Sequence, residues 1–310
     1  MRPYLVLAVL ALSLTGCSSQ PDRSADTTNP PPTTHSTTVP DLDQATPPAG
    51  FFDGLLAVDL ESGDVLEFTS GSWSPIFDGP AYSDETATFF AETATRFSGS
   101  LVVSTCCEPV VGMLSTLQAD TATYFGYGTR PSAGENYLVS FKDLYGEEGT
   151  SLLVHRSTDP EQEVREIPLP SVAAHGSRIH IDGDYAFLTW SSAAEDGVWY
   201  LSRVDLRADS KVDLSPSVSL ELPAKMDLAA GKTLALFSTS TTPSSLYDVS
   251  PSTFTEFDFA AAPSIPLPAA TSSLALYGSD WIAVTASGVE SSSEFFKAEL
   301  GRQTLTWVGW

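Results

Sequence analysis

Five apolar runs, each announced by a glycine turn, recur along this 310-residue chain and constrain its fold more than any other feature. They are Leu101-Val102-Val103-Ser104-Thr105, Tyr137-Leu138-Val139-Ser140-Phe141, Tyr185-Ala186-Phe187-Leu188-Thr189-Trp190, Thr233-Leu234-Ala235-Leu236-Phe237 and Trp281-Ile282-Ala283-Val284-Thr285. The turns begin at Gly99, Gly134, Gly183, Gly231 and Gly278, at intervals of 35, 49, 48 and 47 residues. A continuous apolar run of strand length fits a strand covered on both faces, because a strand with one wet face alternates. A repeat of about 45 residues is the length of one four-stranded radial sheet.

A second series reads as strand, tight turn, strand. Leu55-Leu56-Ala57-Val58-Asp59-Leu60 turns at Glu61-Ser62-Gly63-Asp64 into Val65-Leu66-Glu67-Phe68, the grammar of a hairpin. Residues 200–214, 246–257 and 295–308 read alike, around Arg207-Ala208-Asp209, Ser250-Pro251-Ser252 and Gly301-Arg302, with 152–167 around Asp159-Pro160 a weaker member. An inner strand followed by an outer hairpin is the plan of a propeller blade. The pattern resembles the β-propellers of the Tol, tryptophan-aspartate-repeat and quinone-enzyme classes over most of residues 51–310, without a family-defining motif.

The expected fold is therefore all-β, a β-propeller of about six four-stranded blades, with the five apolar runs as inner strands. A β-sandwich or two small β domains is the alternative. The hairpin at 55–68 lacks an inner strand of its own. One blade is thus expected to be incomplete or completed from the other end of the chain.

Before the repeats lies a different kind of sequence. Arg2 precedes an apolar stretch from Tyr4 to Leu12 that ends in Leu14-Thr15-Gly16-Cys17. The stretch is shorter than the roughly 20 residues a spanning helix needs, and a charged start, an apolar centre and small residues before a cut site read as an export signal. Leu14-Thr15-Gly16-Cys17 resembles a bacterial lipobox. The resemblance implies that residues 1–16 are a signal peptide and that Cys17 carries the lipid anchor, a diacylglyceryl thioether with palmitate-type chains. Residues 17–50, with Pro30-Pro31-Pro32, Thr33-Thr34 and Pro47-Pro48, have too little apolar surface to offset chain entropy and are expected to form a disordered tether. The expected location is the cell membrane, lipid-anchored, facing outside the cytoplasm.

Fifteen basic against 39 acidic residues give a formal charge of −24. Such a surplus excludes nucleic acid as a partner and favours solubility of the folded part. Once Cys17 is lipidated, Cys106 and Cys107 are the remaining thiols. Export favours an oxidised pair, although adjacent Cα atoms sit about 3.8 Å apart, below the usual disulfide separation. Neither cysteine fits a redox motif, and a zinc site needs further ligands.

Arg178, His180 and Asp182 alternate along one strand face and are the candidate catalytic residues, weak ones because no second ligand or acid-base set accompanies them. No nucleophile elbow, zinc-protease helix motif, phosphate loop or calcium loop occurs. No cofactor and no metal is expected. Together these features point to a monomeric, membrane-anchored binding or scaffold module for an envelope protein, peptide or glycan. The alternative is an extracytoplasmic hydrolase or lyase with its site at the channel mouth. Replacing the anchoring residue tests the address: Cys17→Ser is expected to abolish incorporation of radiolabelled palmitate and to move the chain from the membrane fraction to the soluble one.

Overall fold

Each apolar run of the sequence becomes a strand flanked on both sides by other strands of its sheet. The computed structural model describes residues 52–310 apart from 60–61, 79–80, 85–86, 90, 106–112, 119–120, 143–150, 157–163, 171–172, 193–196, 208–218, 224, 240–243 and 294–304. The signal segment, Cys17, the tether, Cys106 and Cys107 lie outside the described residues. All the described residues belong to the unit Gln44–Trp310.

The first sheet joins both ends of that unit. The last strand, β25 (Leu305–Gly309), pairs with β1 (Leu56–Asp59), which continues into β2 (Val65–Thr69) and β3 (Ser72–Phe77). A short hairpin follows, β4 (Ala81–Asp84) with β5 (Ala87–Phe89). The second sheet is β6 (Ala91–Phe97), β7 (Ser100–Thr105), β8 (Met113–Gln118) and β9 (Thr121–Tyr127). The third is β10 (Thr129–Ala133), β11 (Tyr137–Lys142), β12 (Ser151–Arg156) and β13 (Arg165–Pro168). The fourth is β14 (Ala173–Asp182), β15 (Tyr185–Ser192), β16 (Trp199–Asp205) and β17 (Ser219–Leu222). The fifth is β18 (Met226–Leu228), β19 (Ala235–Ser238), β20 (Ser244–Asp248) and β21 (Ser264–Leu267). The last is β22 (Ser273–Tyr277), β23 (Asp280–Thr285) and β24 (Gly288–Ser291).

All the pairings within these sheets are antiparallel, and the first strands of successive sheets lie side by side. Between β18 and β22 that contact is a parallel bridge, in which Ala230 N donates to the Leu274 carbonyl (2.8 Å) and Leu276 N to the Ala230 carbonyl (2.7 Å). Sheets arrayed around a ring of first strands make a β-propeller. Among the described residues five of the sheets are four-stranded, against the expected about six four-stranded blades. The sheet β22–β24 has three strands among the described residues.

Three further placements differ from expectation. The apolar runs are the second strands of their sheets, not the innermost ones. A second strand has a neighbouring sheet packed against each face, so Tyr137–Phe141 of β11 and all of β19 are buried. First strands instead border the axis, which tolerates polar side chains. Of the segment expected as an outer hairpin, the described part forms β25, the first strand of the first sheet, while residues 294–304 with the turn at Gly301-Arg302 lie outside the described residues. Strand β25 is the inner partner that 55–68 lacked. Beyond Ser250-Pro251-Ser252 the chain enters a short 3₁₀ turn, Phe254–Glu256, and pairs only at β21.

The core sits between sheets. Phe141, Leu152 and Val154 of the third pack with Ile179, Leu188 and Trp190 of the fourth. Trp190 stacks on Tyr200 with centroids 4.5 Å apart and donates Nε1–H to Ser202 Oγ at 2.9 Å, so its polar edge is satisfied within a dry layer. Two glycines show what the residue supplies here, one in a repeat turn and one within a strand. Gly183 turns β14 into β15 with φ of 58°, a conformation side chains disfavour. Gly176 lies flat against Phe141, whose ring occupies the place of a Cβ. Gly176→Ala must therefore displace a fully buried ring. It is expected to destabilise the fold by about 1–3 kcal/mol, read as a lowered urea midpoint with an unchanged slope.

Candidate functional site

The first strands converge on one cavity of about 280 Å³ at the axis, bordered by residues from β6, β10, β14, β22, β25 and the β18 region. Its wall mixes cations, hydroxyls and indoles: Arg130, Arg178, Ser132, Ser177, Trp307 and Trp310 contribute. Asp227 and His180 also face it.

Arg178 dominates this space. Its Nη1 donates to the carbonyls of Leu274 (3.1 Å) and Leu228 (3.4 Å), and its Nη2 to the carbonyl of Val308 (2.6 Å) and to Ser273 Oγ (3.5 Å). The guanidinium carbon lies 5.2 Å from the centre of the Trp307 ring, within cation–π range. One side chain on β14 thus binds β18, β22 and β25. Only a planar group with five donors in a fork reaches several carbonyls at once. Burial pulls the Arg178 pKa below the usual guanidinium range, while the Asp227 carboxylate opposes that shift. Asp227 Oδ1 itself accepts from Leu228 N at 2.7 Å and from Thr189 Oγ1 at 3.5 Å.

His180 lies two residues further along β14 and is 7% exposed, with Nε2 buried and lacking a hydrogen-bond partner among the described residues. Phe187 is its ring neighbour at 6.4 Å. Burial lowers the His180 pKa, against the pull of Asp182. Asp182 is exposed at the end of β14 and does not border the cavity. Of the three candidates, then, the structure brings Arg178 and His180 to one cavity and leaves Asp182 outside it.

Sequence reasoning missed Arg130, Asp227 and Trp307 as neighbours of this cavity. Their signal is faint, since β10, β18 and β25 are short, broken by Pro131 or small residues, and carry no long apolar run. Arg130 has a positive φ of 51° and donates through Nη1 to the Gly176 carbonyl. Glu92, on the neighbouring β6, has its pKa raised by burial and lowered in part by Arg130. Among the described residues no three His, Cys, Asp or Glu side chains gather as a metal site.

Radial sheets around an axial cavity define the class: this is a β-propeller. No family model matches the chain and no curated protein is similar to it in sequence. Solved structures do resemble it. A chain of the nidogen/laminin complex aligns over 82% of this chain and 97% of its own length, with 9% identity and a TM-score of 0.54. Hydrazine synthase of Kuenenia stuttgartiensis aligns over 76% and 82%, with 14% identity and a TM-score of 0.47. BamB of Moraxella catarrhalis aligns over 77% and 81%, with 11% identity and a TM-score of 0.40. The first of these supports the fold, and at such identity it speaks to the fold alone.

The buried imidazole makes stability depend on pH. Because the folded pKa of His180 is lowered, the unfolded chain takes up a proton first as pH falls below about 6.5, and unfolding becomes easier. Above that pH both states are neutral and the effect vanishes. His180→Gln is expected to flatten the fall in melting temperature between pH 7 and 5.5 relative to wild type, by calorimetry at matched ionic strength.

Proposed function

We propose that this chain is a membrane-anchored extracytoplasmic lipoprotein whose propeller binds an envelope protein, peptide or glycan. The observation that carries the reading is the engagement of Arg178: its guanidinium holds the carbonyls of three first strands, so the strongest charged side chain at the axis serves the ring. A propeller made rigid at its centre presents its faces and rim as fixed surfaces. Val164, Ile265 and Tyr277 leave 43%, 46% and 39% of their surface exposed and so offer solvent-facing probe positions outside the core. The sheet β22–β24 is read as a sixth blade within this architecture. The lipobox-like Leu14-Thr15-Gly16-Cys17 and the acidic surface support an address outside the cytoplasm.

The hydrolase or lyase alternative needs an acid-base set in one pocket. Asp182 stands away from the cavity, and Arg178 has its fork engaged. The test is photo-crosslinking in intact cells from a probe residue placed at Val164, Ile265 or Tyr277. A single adduct of discrete mass, lost in the Cys17→Ser chain, is expected. Diffuse labelling from all three positions, together with turnover of a glycan or peptide by the purified chain, reverses the assignment.

A further inference from the structure

Two guanidinium groups and one carboxylate, Arg130, Arg178 and Asp227, border the axial cavity. Among the described residues no carboxylate oxygen comes within 4.0 Å of Arg178 or Arg130. Asp227 shares the cavity, but its Oδ1 is engaged by Leu228 N and Thr189 Oγ1. Arg178 is the more buried of the two arginines, and a buried charge is ordinarily paired, because desolvation of a lone ion is costly. Carbonyl dipoles satisfy the donors of Arg178, while Asp227 and Glu92 act on Arg178 and Arg130 through space without an ion pair. His180 is one of the residues that line the same cavity, and its buried Nε2 has no hydrogen-bond partner among the described residues. A buried polar nitrogen of this kind is ordinarily satisfied, so its isolation points to a place that a ligand atom fills. In a chain of formal charge −24, a concave wall with two guanidinium groups against one carboxylate is not what overall composition produces.

We propose that this cavity is a binding site for a small organic carboxylate, whose charge is met by Arg130 and Arg178 and whose polar atoms reach His180, Ser132 and Ser177. Size argues for an organic ion. A volume of about 280 Å³ far exceeds the roughly 30 Å³ share of one water and sits at the lower edge of small-molecule pockets, which begin near roughly 300 Å³. Trp307 and Trp310 give the same wall an apolar part, suited to a short carbon skeleton. Inorganic phosphate or a halide would leave that part unused. The proposal goes beyond the macromolecular reading and does not depend on it.

The experiment is isothermal titration of the folded chain with formate, acetate, lactate, succinate and inorganic phosphate, against acetamide and sodium chloride at equal ionic strength. At least one carboxylate is expected to bind saturably at one site and to raise the melting temperature, with no response to acetamide. Arg130 is exposed, so Arg130→Gln leaves the fold in place; it is expected to weaken binding tenfold or more, and His180→Gln to weaken it as well. The proposal is overturned if every carboxylate behaves as sodium chloride does, if phosphate alone binds, or if neither substitution changes the affinity.

Discussion

Everything in this fold depends on a ring closing. The pairing of β25 with β1, Leu56 opposite Gly309, Ala57 opposite Val308 and Val58 opposite Trp307, joins the two ends of the folded unit. Without it β1 would be an open edge and the first sheet would lack its axial strand, leaving unpaired backbone groups where the core is driest. A register shift between Val58 and Asp59 bends the joint, and Thr306 Oγ1 donates to the Val58 carbonyl at 3.1 Å to secure it. Closure then lets each second strand be covered on both faces, and that coverage is what makes a continuous apolar run stable rather than sticky.

The axis poses the opposite problem. First strands from successive sheets meet there with carbonyls turned inward, and too little apolar surface remains to cover them. Arg178 answers with one cation directed at Leu228, Leu274 and Val308, and with Trp307 under its plane. The same solution concentrates charge in a small space. His180 and Arg130 share that space, which is why the polar centre of the molecule, and not its loops alone, draws functional attention.

Sheet content was legible because burial on two faces leaves a mark in the chain: Tyr137–Phe141 and Ala235–Phe237 are apolar almost without interruption. That same mark misleads on position. The most buried strand is the second one, since the first faces a polar axis, so burial alone puts the runs one strand too far inward. Arg178 and His180 were visible through their alternation on β14. The reason for their nearness to Asp227 and Trp307 was not, because those residues come from strands far apart in the chain.

By itself the sequence determined a β-rich chain of repeating sheets behind a lipobox-like start and a proline-rich segment, since periodicity and turn chemistry are local. Tertiary structure alone decided which strand lies innermost, which end of the chain completes the first sheet, and which side chains face the axial cavity. Those are matters of long-range pairing. Local pattern records how deeply a residue is buried but not against what, and only the closed ring assigns each strand its neighbours.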